Sequence, residues 1–470
     1  MSKQIIIDTV RLLIFVILTL NSTLVLSQTG PIKIFRNIDD FAYVQNNDST
    51  KLKYYEKLKY MSLAEDGRIN ISFGGEIREQ YQFFNNENFG DLPPNVEPDN
   101  NGHLWHRVMA HAHLRLGDQW RVFGQFNSTF AFGKSFLTPQ IDENRLSLHQ
   151  AFVRWQPNKG RGFFTQIGRQ EFGIGSEYII AMREGPNTRL TFDAALVGVE
   201  REKHKLYSFV ATPVVSQVGV FDDTHISEYI WTLYWVNQLK KLQLDLYYFG
   251  FYGEENRYNY AEGIEQRQSL GIRLYNLPQN PFMYDAIAVY QFGQFEELSI
   301  SAYNLMVISG YRFKKGKQTW IPGLTLNLSS GDQSPNDDRL NTYNMLYSRP
   351  TFGLSAPIGA SNIINIKPTL EYDPQPNIRI IMSGYFMYRH SINDGTYTPG
   401  RVQTRPLPFQ LFQSSEKEIG KQMSLEIWYL KNANWSFFAD ASYFTPGNYV
   451  KETGQGRPIT YLSAKASFKF

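Results

Sequence analysis

Four arginines set the first chemical question. Arg78, Arg107, Arg115 and Arg121 fall in stretches where polar and apolar residues alternate, and each lies on the polar side of its stretch. Arginine presents a planar fork that pairs with a carboxylate through two hydrogen bonds, and it stays charged. Rings of Arg or Lys inside a pore favour anions. The competing reading pairs these arginines with Glu76, Glu79 and Asp142, where they brace a wall without selecting anything. Further along, Arg183 and Arg189 flank "EGPN", in which Gly185 and Pro186 break a strand ladder. A broken segment with two arginines can fold into a water-filled interior, where low-dielectric walls make a fixed cation effective. Glu184 and Asp193 are placed to hold those arginines, and Arg169 lies on a strand just before them.

Other chemistry is thinly represented. His103, His106, His111 and His113 are close in sequence, and His111 and His113 share a strand face. A zinc site needs three or four convergent ligands, and Arg107 and Arg115 flank the pair and disfavour a cation. "GDQSPNDD" (331–338) offers hard oxygen ligands but lacks the spacing and closing Glu of an EF-hand, so calcium at this loop stays open. His149 and His390 lack the nucleophile motif that a barrel hydrolase would need. No catalytic, metal or cofactor residue is therefore expected, and a barrel enzyme is the remote alternative.

The elements that must carry these side chains are strands. In "NISFGGEIREQYQFF", Ile71, Phe73, Ile77, Tyr81 and Phe83 share one face, and Ser72, Glu76, Arg78, Gln80 and Gln82 share the other. "ITYLSAKASFKF", at 459–470, sets Leu462, Ala464, Ala466, Phe468 and Phe470 against Tyr461, Ser463, Lys465, Ser467 and Lys469. A period of two is the strand signature. An apolar face opposite a charged one needs two solvents, lipid outside and water within. A soluble sandwich would need a second layer over the apolar faces, and none is visible. Compact turns (116–119, 156–162, 313–318) alternate with long polar loops (85–102, 329–344, 393–409), as in outer-membrane barrels. Trp120, Trp231, Trp235, Trp320, Trp428 and Trp435 lie near strand ends, where an interfacial girdle belongs. Residues 145–155 are ambiguous, because both faces are mixed.

Composition agrees. The 470 residues include no cysteine, so there is no disulfide framework. Lys3 and Arg11 flank "LLIFVILTL" (12–20), which is too short to span a bilayer as a helix and is expected to end in cleavage between Ser27 and Gln28. Removing residues 1–27 takes away Lys3, Arg11 and Asp8, so the formal charge falls from +3 to +2, a balance that gives no argument for nucleic acid. Aromatics reach 15% and mean hydropathy is −0.37, with no later apolar run of membrane-helix length. The expected organisation is a signal peptide (1–27), a short periplasmic or plug-like segment (28–68) and an all-β, transmembrane antiparallel β-barrel (69–470). At roughly 22–25 residues per strand with its connection, the barrel holds about 16–18 strands.

Five stretches carry a resemblance: "INISFGGEIREQYQFFNNENFG" (69–90), "RVFGQFNSTFAFG" (121–133), "DENRLSLHQAFV" (142–153), "IGRQEFGIGSEYIIAMREGPNTRLTFDAALVG" (167–198) and "SSGDQSPNDDRLNTYNMLYS" (329–348). In this order they resemble the alginate export family of outer-membrane barrels. The resemblance implies about 18 strands, a pore narrowed by inward loops, and arginines that pair with the carboxylates of a uronate polymer. It carries over Arg169, Gln170, Arg183, Glu184, Asn187, Arg189 and Asp193, and in the later block Asp332, Asp337, Asp338 and Asn344. Glu171 departs from the family's alginate exporter, which has further basic residues around that strand. The terminal Phe470 resembles the signal read by the barrel assembly machinery. The expectation is an outer-membrane channel for an anionic polysaccharide or other polyanion, lined by Arg78, Arg107, Arg115, Arg121, Arg169, Arg183, Glu184, Arg189 and Asp193. Its expected partners are outer-membrane lipid, the assembly machinery and periplasmic polysaccharide-delivery proteins. A general anion or nutrient porin is the alternative.

Overall fold

Lipid offers no hydrogen-bond partners, so a sheet crossing it must close on itself. The computed structural model closes with 18 antiparallel strands. It describes residues 32–470 except 40, 42–43, 45–53, 66, 93–100, 135–140, 159–160, 259–260, 277–278, 335, 350–351, 354, 356–357 and 406–413. The expected signal peptide and its cleavage point lie outside the described residues.

The wall strands are β1 (Ile69–Asn85), β2 (His103–Leu116), β3 (Trp120–Phe132), β4 (Asn144–Trp155), β5 (Gly162–Gln170), β6 (Phe192–Glu200), β7 (His204–Val215), β8 (Glu228–Gln238) and β9 (Leu242–Tyr258). They continue as β10 (Ala261–Asn276), β11 (Phe282–Phe295), β12 (Leu298–Tyr311), β13 (Gln318–Ser329), β14 (Ile363–Gln375), β15 (Ile378–Arg389), β16 (Glu418–Leu430), β17 (Trp435–Pro446) and β18 (Ile459–Lys469). Each pairs with the next, and β1 pairs with β18 from Glu76↔Lys469 to Asn85↔Thr460. β1 and β9 have 17 residues each, more than the roughly 9–11 that span the hydrocarbon, so they project beyond it.

Alternation sorts the side chains as the two solvents require. Ile77, Phe126, Leu270 and Leu462 lie on the outer face, while Arg78, Gln125, Ser269 and Ser463 face inward and are buried. Trp120 packs near Trp155 and Trp155 near Phe163, and Trp435 stacks beside Phe437 and Phe468, so aromatics ring the rim with the short turns. Trp428 does not belong to that girdle. It shares parity with buried Gln422 and Ser424, while Ile427 and Tyr429 face out, so its indole enters the lumen.

β4 explains its own ambiguity. Its pairing with β3 jumps between Gln125↔Gln150 and Phe126↔Leu148, leaving His149 as an extra residue. The bulge turns both His149 and Gln150 inward, where both are buried, and no period-two reading survives it.

The loops at the other rim do not stay outside. Described residues of the connections 171–191 (between β5 and β6), 330–362 (between β13 and β14) and 390–417 (between β15 and β16) fold into the barrel. Ile180, Ala181, Asn187 and Asn362 are fully enclosed. Phe172 stacks on Phe209 at 4.6 Å, and Phe192 meets Tyr347 edge-on at 5.2 Å. The interior of this half is therefore an apolar core made by loops against inward aromatic residues.

Candidate functional site

Arg78 on β1 and Arg107 on β2 are direct cross-strand partners. Like charges in that relation destabilise a sheet unless something compensates them. The compensation comes from the loop 171–191. Arg78 donates to the Glu184 and Pro186 carbonyls (3.1 Å each) and to Asn187 Oδ1 (3.0 Å). Arg107 Nη2 donates to Glu76 Oε1 (2.6 Å) and Glu184 Oε1 (2.7 Å). Arg189 pairs with Glu184, with Glu171 (3.4 Å) and with Glu76 (3.6 Å), and His149 Nε2 meets Glu171 Oε1 at 2.9 Å. Three arginines and three glutamates thus lock the loop to the wall. Such a buried network costs about 3–5 kcal/mol to break from one side, because the remaining charge has lost its partner. Glu171 is the counter-ion that Arg189 needs here.

Asn187 fixes the turn of this loop. Its Nδ2 donates to the carbonyls of His106 (3.2 Å), Phe130 (3.1 Å) and Asp142 (2.8 Å), on β2, β3 and the connection before β4.

Arg183 does not project into open water. Its Nε donates to Ser348 O (3.0 Å), and Nη2 donates to Leu346 O (3.5 Å) and Pro399 O (3.1 Å), so one guanidinium ties all three inward loops together. Beside it Arg401 grips both oxygens of Glu228 (2.8 and 2.9 Å), and Tyr347 also donates to Glu228. Arg183, Leu346, Asn362 and Arg401 all have φ between 49° and 70°, an expensive conformation for non-glycine residues that the loop contacts over-determine.

The later block divides. Asp332 and Asn344 are buried: Asp332 Oδ1 accepts from Asn341 N (3.3 Å), and Asn344 Nδ2 donates to Glu265 Oε1 (3.1 Å). Asp337 and Asp338 are exposed. Burial, with Asp394 and Asp337 nearby, pushes the Asp332 carboxyl up to about 6. Asp394 is likewise raised by burial, against hydrogen bonds from Thr342, Tyr397 and the Asp332 and Gly395 amides.

At the terminus-bearing rim, Arg115, Arg121 and Arg154 are neighbours across β2, β3 and β4 and face inward. Arg115 donates to Asp39 O (2.8 Å), and Arg154 lies 3.7 Å over the Phe164 ring. The segment before β1 enters this mouth. Arg36 Nη1 donates to Gly75 O (2.7 Å), Nη2 donates to Phe470 O (2.9 Å), and Nε pairs with Asp39; Lys59 Nζ donates to Phe73 O (2.7 Å).

Two expected lining residues lie elsewhere. Arg169 and Asp193 pair through two hydrogen bonds (2.8 and 2.9 Å). They share the parity of Ile167, which is 61% exposed, and of Val197, so the pair sits on the outer face near the rim rather than in the lumen. Gln170, one residue on, is the inward neighbour. The histidines also divide: His106 meets Glu79 on the outer face, whereas His111 and His113 pack on the Phe123 ring. Among the described residues no cluster of His, Asp or Glu could hold a metal ion. Sequence reasoning missed Arg36, Glu228 and Arg401; nothing local marks them, since each acts on a distant segment.

The family model described as "Alginate export" matches residues 69–463. Among solved structures the chain is similar to Pseudomonas aeruginosa OpdL (TM-score 0.56, 10% identity, covering 85% of this chain and 98% of that one). It is also similar to Pseudomonas aeruginosa OccK2 (OpdF) in complex with glucuronate (TM-score 0.55, 11% identity, 85% and 98%). A BenF-like porin from Pseudomonas fluorescens Pf-5 is a third (TM-score 0.54, 11% identity, 85% and 98%). At these identities the likeness shows the fold alone. No curated protein sequence matches the chain.

Proposed function

The chain belongs to the alginate export family and is an outer-membrane β-barrel channel, and from that premise we propose that its cargo is an anionic polysaccharide or related polyanion. The supporting observation is the inward charge of the wall running from β18 through β1 to β4. Arg78, Arg107, Arg121, Arg154, Lys465 and Lys469 face inward there, against one inward carboxylate, Glu76, among the described residues of those strands. A wall of one sign concentrates counter-ions in a narrow space. The loop carboxylates Glu171 and Glu184 compensate the middle of this wall and leave its terminus-bearing end cationic. Family and fold are those of channels rather than enzymes. A structural relative solved with glucuronate fits the same class of cargo, a carboxylated sugar.

Reconstitution in a planar bilayer under a salt gradient tests the reading: the expected reversal potential shows anion preference, and cation preference overturns it. A second reading, a porin for small carboxylated nutrients, is favoured by the mutual anchoring of the three inward loops through Arg183, which ties them to one another inside the barrel. Passage of glucuronate with exclusion of its oligomers would select it.

A further inference from the structure

The arginines of this wall are engaged, whereas Lys465 is not. Lys465 on β18 faces inward, and among the described residues its ammonium makes no hydrogen bond or ion pair. It lies instead over two rings, 5.0 Å from the Trp428 centroid and 4.9 Å from the Phe438 centroid. The three residues occupy one rung of the sheet, Lys465↔Phe438↔Trp428. The rings are 4.2 Å apart at an interplanar angle of 49°. Trp428 Nε1 donates to Glu426 Oε2 (3.4 Å), which orients the indole. Lys465 and Trp428 are only half-buried, so the site opens to the lumen.

Neighbouring rungs sharpen the chemistry. Asp440 and Glu426 are cross-strand partners two residues further along, and Asp440 also faces Ser463. These carboxylates repel an anionic group on their side and leave Lys465 as its destination. On the β1 side Lys465 faces the neutral Gln80. An aromatic face packs against the C–H surface of a sugar ring, while an ammonium beside it pairs with a carboxylate. A neutral sugar satisfies only the first contact, and a small inorganic anion only the second.

We propose that Lys465, Trp428 and Phe438 form a subsite for one carboxylated sugar unit on the lumen wall. This inference rests on the polyanion reading above and names where the channel grips its cargo. The arginine network then holds the loop, and the lysine–aromatic rung meets the polymer.

The test is current blockade of the reconstituted full-length channel by a mannuronate tetramer, with maltotetraose as the neutral probe. The wild type is expected to be blocked by the uronate and not by maltotetraose. Lys465→Met keeps the stem against both rings but removes the charge, and should weaken blockade about tenfold, the scale of one charge-assisted hydrogen bond. Trp428→Leu should weaken it similarly, and Lys465→Arg should retain it. Blockade of wild-type strength in both Lys465→Met and Trp428→Leu overturns the subsite and leaves the cargo reading standing. A wild type that the uronate never blocks overturns both. Should the Met variant not assemble, tryptophan fluorescence decides: uronate must quench the wild type and not Trp428→Phe, and equal quenching in both refutes the subsite.

Discussion

Replacing Asn187 with alanine should release the loop 171–191 from the wall without opening the barrel. The side chain is fully buried; its two Nδ2 protons are shared among the His106, Phe130 and Asp142 carbonyls, and its Oδ1 accepts from Arg78. At roughly 1 kcal/mol net for each of the two Nδ2 protons and for the bond from Arg78, the loss is about 3 kcal/mol. At about 1.4 kcal/mol per decade, the ratio of released to docked loop then rises by about two orders of magnitude. The β-ladder is untouched, because Asn187 lies outside every strand. Two assays report the change. Trypsin should cut after Arg183 or Arg189 in the variant while sparing the wild type, and single-channel records should show excursions to higher conductance. The barrel should still migrate as a heat-modifiable species. A correctly assembled variant with wild-type protease resistance and wild-type current would refute the claim that this residue holds the loop.

Asp332→Asn should remove a pH dependence. The carboxyl titrates at about 6 in the fold, above its usual value of about 4, so its contribution to loop stability is complete below about pH 4 and lost as pH rises through 6. The protection of the amides of residues 341–344 against exchange, taken relative to their intrinsic rate, should therefore fall between pH 5 and 7 in the wild type and stay flat in the variant; equal pH profiles would contradict this. Arg36→Ala should free the segment before β1, at a cost of about 1.5–3 kcal/mol for its charged hydrogen bonds, and expose Lys33 and Lys59 to protease while β1 and β18 remain paired. Arg169→Gln should leave ion selectivity unchanged, because the Arg169–Asp193 pair is on the outer face; at a partly exposed rim it contributes about 1 kcal/mol or less, readable as a small fall in unfolding temperature. A shifted reversal potential in that variant would return Arg169 to the lumen.

What the sequence made legible follows from how local each determinant is. β1 and β18 were readable because their two faces meet different solvents and nothing interrupts the period. β4 was not, because a single bulge at His149 shifts its parity. Arg169 lies outside the lumen, and its parity carries that signal: Ile167, two positions earlier, shares its face. Trp428 lies near a strand end, as a girdle residue would, but the parity of Gln422 and Ser424 sends it inward. The arginines at 78, 107, 183 and 189 were found by residue type and by the family resemblance. Their partners were hidden, since Arg78 and Asn187 are 109 positions apart and Arg183 reaches Pro399 across 216. Only the closed ring brings such pairs together.

The contact between Arg36 and Phe470 has a consequence for the order in which the molecule can be made. The two residues are 434 positions apart, and Phe470 also exchanges backbone hydrogen bonds with Gly75 (2.8 and 3.0 Å). Bringing the ends of a flexible chain of that length together costs about 5 kcal/mol of entropy on the logarithmic scaling. Nothing repays it until β18 lies along β1, so the last wall strand in chain order is required by the first. Until then two full strand edges stand open, each a template for pairing with another chain. The docked N-terminal segment comes later still, because the carbonyl that Arg36 holds is in place only once the seam has formed. The mouth it occupies is therefore filled only in a barrel that has already closed.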